Sequence, residues 1–181
     1  MQDYHYDPSH QALEAFDNLL QSSRPWILIY HGPPKSGKSH LLSWLIRNRC
    51  KDIIPYSLVS YYTYTFDIDV LFSSMAESII STSQFSRDKA DRIKEKLTGG
   101  VNAHWVGLQD NMSLILFFDD YQAFEAKASS EQLSTFLDMM NHAHMRLPGL
   151  RVVMASRDGN CKIPRIWDYM QEVGHVNLYL E

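Results

Sequence analysis

A chain of 181 residues, 45% hydrophobic and 21% charged, is long enough to bury a substantial core and too apolar for a disordered segment. Its net charge of −4 offers no global attraction for nucleic acid or an anionic membrane surface, so neither is an expected partner. Two cysteines, Cys50 and Cys161, lie far apart without a CxxC spacing; this excludes a disulfide scaffold and a zinc knuckle and fits a reducing compartment.

The start, "MQDYHYDPSHQALEAF", lacks a basic stretch followed by an apolar run, so no signal peptide is expected. No apolar stretch approaches the roughly 20 residues that span a bilayer. The expected location is cytoplasmic, and the sequon Asn111-Met112-Ser113 is expected to go unused.

A short helix, roughly Ser9 to Leu20, leads through "RPW" into a first strand, Trp26 to Tyr30. Lys38 to Asn48 then carries Leu41, Leu42, Leu45 and Ile46 on one helical face. The basic "RNRCK" at its end reads as positively charged side chains on the closing turn of that helix. A second strand, Tyr56 to Tyr61, opens the tyrosine-rich "YSLVSYYTYTF", which reads as a strand running out along a sheet edge rather than a base-stacking platform. Asp67 caps a helix containing Val70, Leu71, Met75, Ile79 and Ile80. "SRDKADRIKEKL" is a solvated amphipathic helix stopped by "TGG", and Val101 to Asp110 reads as helical.

The third strand, Leu114 to Phe118, and the fourth, Val152 to Ala155, are nearly continuous apolar runs, as in sheets covered on both faces. Between them Ser129 to Ala143 forms a helix with Leu133, Phe136, Leu137 and Met140 inward, and "LPGL" turns the chain. His142 and His144, two apart, diverge on that helix and do not suggest a metal site. A fifth strand is expected at Val176 to Tyr179. Strands alternating with helices predict an α/β fold. One domain is expected over residues 1–181, with 1–24 a helical lead-in and 25–181 the core.

Between the first strand and its helix stands "HGPPKSGKSH", and Gly32-x-x-x-x-Gly37-Lys38-Ser39 matches the phosphate-loop pattern in the strand–turn–helix setting it requires. Gly32 and Gly37 let backbone N–H groups curl toward an anion without an obstructing Cβ. The helix beginning near Lys38 adds its positive end. The Lys38 ammonium is suited to the β- and γ-phosphates and the Ser39 hydroxyl to Mg²⁺. Gly32, Pro33, Pro34, Lys35, Ser36, Gly37, Lys38, Ser39 and His40 form the expected nucleotide-binding set. Lys35 stands where many such loops carry glycine; it either adds charge to a phosphate or points into solvent, and solvent is preferred.

The strand "LILFF" ends in Asp119 and Asp120. The first is the natural partner of Mg²⁺, the second a carboxylate placed to orient or activate water. The fourth strand ends in Ser156 and Arg157, at the edge where open α/β sheets bind ligands. Arg157 there either senses a γ-phosphate or makes a surface ion pair with Asp158. Lys38, Asp120 and Arg157 are the expected catalytic residues; Ser39 and Asp119 are the expected metal ligands.

Taken together, "WILIYHGPPKSGKSHLL", "LILFFDD" and "LRVVMASRD" resemble the landmarks of the AAA+/STAND branch of P-loop NTPases, most nearly a NACHT-type STAND nucleotide-binding domain. The resemblance runs from about Trp26 to Arg157. It implies a three-layer core whose five-stranded, mainly parallel sheet has the order 5-1-4-3-2, with helices on both faces. It also implies ATP or ADP with Mg²⁺, a switch between nucleotide states, and assembly or a protein partner. The second landmark departs from the NACHT pattern by continuing as "DDYQAFEAK". The family's helical and winged-helix segments need more than residues 158–181, so they are expected to be absent. A regulatory ATPase module is the leading reading. A small P-loop kinase, whose lid would need several arginines where only Arg87 and Arg92 occur, and a nucleotide-binding interaction module without turnover are the alternatives.

Overall fold

The computed structural model describes residues 7–60, 65–99, 112–157 and 161–178. Its strands are β1 (Ile27–His31), β2 (Tyr56–Val59), β3 (Leu114–Phe118), β4 (Leu150–Ser156) and β5 (Val173–Asn177). They form one sheet of order β2-β3-β4-β1-β5, every adjacent pair parallel. This is the expected order read from the other edge, and the pairing is parallel throughout rather than only mainly so.

The helices are α1 (His10–Gln21), α2 (Lys38–Leu45), α3 (Ile68–Ser81), α4 (Arg87–Thr98), α5 (Tyr121–Lys127), α6 (Ser130–Arg146) and α7 (Arg165–Tyr169). Their starts follow local chemistry. Ser9 Oγ accepts from Ala12 N, Asp67 Oδ1 from Val70 N, and Ser129 with Gln132 closes a reciprocal capping box.

Strand side chains alternate between two cores. Ile27, Ile29, Leu114, Leu116, Phe118, Val152 and Met154 meet α3, α4, α5 and α6, where Phe72, Phe124 and Phe136 pack. Leu28, Tyr30, Ile115, Phe117, Val153 and Ala155 meet α1 and α2 through Phe16, Leu41 and Leu45. This parity positions an acid: in β3, Ile115 and Phe117 face α2, and so does the next residue in that series, Asp119.

Three boundaries differ from the sequence reading for a physical reason, and two short helices were not expected. α2 gives way after Leu45 to a π-helical turn, Ile46–Cys50, whose hydrogen bond runs from Lys51 N to Ile46 O at 2.7 Å. β4 starts two residues earlier than its apolar run, because Arg151 is buried within it. β5 starts at Val173, since Gly174 and His175 interrupt an apolar pattern without interrupting the pairing to β1. The short helices α5 and α7 have too few residues to show a period. The expected helix Val101–Asp110, and Tyr61 and Tyr179 in the strand expectations, lie outside the described residues.

Arg151 is the unusual member of the core. Its Nε donates to Leu19 O at 2.7 Å, Nη2 to Ser22 O at 2.7 Å, and Nη1 to Pro148 O at 2.7 Å and Leu150 O at 3.0 Å. The guanidinium therefore ties the carboxyl end of α1 to β4, satisfying carbonyls that the helix leaves open, and burial holds its pKa below the ordinary arginine value. Replacing it by Met leaves those carbonyls without this donor, at about 1–3 kcal/mol per buried unsatisfied group. Thermal melting of Arg151→Met should show a Tm roughly 10 °C lower; an unchanged Tm would mean that these bonds contribute nothing net.

Candidate functional site

The glycine-rich turn connects the carboxyl end of β1 to α2. Gly37 has φ 83° and precedes the first helical residue, so a left-handed backbone is required there and glycine meets it at no cost. Lys35 has φ 68° with a side chain attached; it is exposed and also lines the cavity described below, so both sequence alternatives for it stand. A non-glycine residue in this region costs about 1–2 kcal/mol, partly offset in a glycine by chain entropy. Lys35→Gly is therefore expected to raise Tm by roughly 2 °C, whereas Lys35→Ala leaves the strain in place; melting curves of the two variants compare them directly.

Lys38 opens α2 and is buried. Its ammonium donates to Gly32 O at 2.6 Å, Pro33 O at 2.8 Å and Ser36 Oγ at 3.1 Å, folding the side chain back over the turn. Ser39, one residue on, donates from Oγ to Asp119 Oδ1 at 3.1 Å. Residues 80 apart in sequence thus meet because Asp119, the residue after β3, continues the side-chain series that faces α2.

Asp119 Oδ1 also accepts the Asp120 backbone N–H at 3.0 Å. Burial raises the Asp119 pKa above the ordinary aspartate value, and the Asp120 charge adds to that; the Ser39 hydrogen bond, the Asp120 N–H and the Lys38 charge act in the opposite direction. Asp120 sits at φ 52°, ψ 40°, a left-handed conformation that aspartate tolerates better than most residues. Its Oδ1 accepts from Gln122 Nε2 at 3.0 Å. At the end of β4, Arg157 donates its backbone N–H to Gln122 Oε1 at 3.0 Å.

A cavity of about 450 Å³ is lined by Pro34, Lys35, Ser36, Gly37, Lys38, Ser39, His40, Asp120 and Arg157. The fold therefore gathers the expected residues from three separate segments around one space. Gly32 and Pro33 contribute carbonyls beneath it through Lys38, and Asp119 reaches it through Ser39. Sequence reasoning missed Gln122, which belongs to no motif; its one signal is a position in the first turn after the two acids. His142 and His144 diverge as expected: His142 Nδ1 lies 2.6 Å from Asp138 O, while His144 stacks on Trp26 at 4.3 Å between centroids. Tyr121, Phe124 and Glu125 are buried on α5, fixing the helix that carries Gln122.

Comparison with solved structures reaches the same architecture. Drosophila ORC bound to DNA matches with a TM-score of 0.54 at 13% identity, over 93% of this chain and 41% of that one. A Walker-type ATPase of Pyrococcus abyssi matches with a TM-score of 0.52 at 16% identity, over 98% of this chain and 54% of that one. At such low identity the likeness is one of fold, a parallel α/β sheet packed among helices. This chain spans about half, or less, of the length of each of these neighbours. No protein-family model and no curated protein matches the chain. No helix among the described residues is long and apolar enough to cross a membrane.

Proposed function

We propose that the chain is a Mg²⁺-dependent ATP-binding module that hydrolyses ATP slowly and acts as a switch for assembly or for a protein partner. The observation that carries this reading is the Ser39 Oγ to Asp119 Oδ1 contact of 3.1 Å directly under a turn whose Lys38 ammonium is buried against loop carbonyls. Paired hydroxyl and carboxylate oxygens suit a hard cation. A buried ammonium beside the amino end of a helix suits a phosphate.

In this reading the turn from Gly32 to His40 cradles the phosphates. Lys38 exchanges its bonds to the loop for bonds to the β- and γ-phosphates. Ser39 and Asp119 hold Mg²⁺, which when bound neutralises charge on the phosphate oxygens. Asp120 holds the attacking water and takes its proton as the water oxygen bonds to the γ-phosphorus and the bond to the β,γ-bridging oxygen breaks, giving ADP and phosphate. Arg157, across the cavity, reads the γ-phosphate. The strand ending Ser156-Arg157 supports placing the module on the NACHT-like, STAND side of the AAA+ group. A protein partner or self-assembly is favoured over nucleic acid by the net charge of −4.

The kinase alternative gains nothing from the geometry. Arg87 and Arg92 are exposed on α4, and neither lines the cavity of the phosphate loop.

Phosphate release by the full chain, compared with Asp120→Asn, tests the hydrolytic part. A fall of about 100-fold in turnover is expected for loss of a group acting on the water, with ADP affinity held within about threefold. Equal turnover in the two proteins removes Asp120 from the reaction. Nucleotide held without turnover in the unmutated protein replaces the enzyme with an interaction module.

A further inference from the structure

Gln122 joins two groups that the phosphate loop itself does not supply. Its Nε2 donates to Asp120 Oδ1 and its Oε1 accepts from the Arg157 backbone N–H, each at 3.0 Å. Asp120 lies just past β3 and Arg157 just past β4, so one side-chain amide bridges the ends of two strands. Gln122 does not line the cavity of the phosphate loop. It lines a neighbouring one of about 370 Å³, with Asp120, Ala123, Ala126 and Arg157. Asp120 and Arg157 line both spaces, and Gln122 holds them from behind.

We propose that Gln122 is a positioning residue that sets the preference for a nucleoside triphosphate over a diphosphate, by fixing the Asp120 carboxylate against the Arg157 backbone. The inference rests on the nucleotide-binding reading of the phosphate loop. The loop amides and the amino end of α2 address phosphates that ATP and ADP both carry, while Lys38 reaches the γ-phosphate as well. Asp120, through the water it holds, and Arg157, by its charge, stand at the ends of β3 and β4 and distinguish the two nucleotides at the additional phosphate. Asp120 is held in a left-handed conformation at φ 52°, and the hydrogen bond from Gln122 Nε2 keeps its carboxylate in the orientation that conformation gives.

The chemistry of the bridge is specific. An amide offers a donor and an acceptor side by side. Glutamate at this position keeps the acceptor for Arg157 but loses the donor for Asp120, and methionine loses both at similar volume. A residue that merely filled space would tolerate either change.

The test uses the full chain with Mg²⁺ and a fluorescent ADP analogue, displaced in turn by ADP and by the β,γ-imido analogue of ATP. In both Gln122→Glu and Gln122→Met the ratio of triphosphate to diphosphate affinity is expected to fall about tenfold, the scale of one hydrogen bond to a charged group. ADP affinity stays within about twofold, and the melting temperature within a few degrees. Gln122→Glu, nearly isosteric, carries the test should the Met variant fail to fold. An unchanged ratio in a folded variant overturns the inference, as does an equal weakening of both nucleotides, which marks a structural residue. An unmutated protein that binds both nucleotides equally well also overturns it, while leaving nucleotide binding standing. An unmutated protein that binds neither overturns the proposed function first and this inference with it.

Discussion

Lys38→Met is expected to weaken Mg·ATP binding by about 100-fold or more while moving Tm by only a few degrees. The two halves of that result separate a ligand-directed lysine from a structural one. Lys38 is buried, and its ammonium reaches Gly32 O, Pro33 O and Ser36 Oγ. A cation kept from water against neutral carbonyls gains little net stability, because desolvation offsets what the hydrogen bonds return. Against a polyphosphate the same group makes charge-assisted bonds worth roughly 1.5–3 kcal/mol each, and two of them account for the expected loss. Calorimetric titration with ATP and thermal melting of the same preparations measure both halves. A large fall in Tm with little change in affinity would assign Lys38 to the fold instead.

Gly32→Ala is expected to damage stability and binding together. A Cβ at Gly32 would stand 2.5 Å from Leu178 O and 2.5 Å from Ser36 Oγ. Ser36 can turn its hydroxyl away, but Leu178 O is backbone, and Leu178 N also donates to His31 O at 2.6 Å. Relieving the clash therefore moves either the chain that leaves β5 or the phosphate loop. Overpacking of this kind costs about 1–3 kcal/mol, several degrees in Tm for a chain of this size. A displaced loop should lower ATP affinity at least about tenfold, since 1.4 kcal/mol of lost contact suffices. Gly174→Ala is the control. Its Cβ would meet Leu28 Cδ1 and Pro25 Cγ at 3.2 Å, which are side chains able to give, so binding should survive. Equal behaviour of the two variants, by melting and titration, would deny Gly32 its special place under the loop.

The fold was legible in the sequence where burial on both faces forces continuous apolar runs: β1, β3 and β4 stand out for that reason. It was less legible at β5, where Gly174 and His175 break the apolar pattern though the backbone pairs with β1 throughout. A buried Arg151 inside β4 is invisible to pattern reading, because its partners include carbonyls at Leu19 and Ser22, 132 and 129 residues away in the chain. In the candidate site, Lys38, Ser39 and Asp119 were legible since a phosphate loop and an acid-ended strand each carry a local pattern. The geometry supplies what sequence lacks, the side of the sheet that Asp119 faces. Gln122 was legible only through its place in the first turn after the two acids. Its partners lie on two different strand ends, and an amide acting between them leaves no periodicity or motif.

The most direct measurement is the equilibrium binding of ATP to the unmutated full chain, with Mg²⁺ and again after its removal by a chelator. One ATP per chain with a Kd below about 100 µM, weakened about tenfold or more without Mg²⁺, is the predicted result. No binding at millimolar ATP under either condition would contradict the central claim that the turn from Gly32 to His40 cradles a nucleotide.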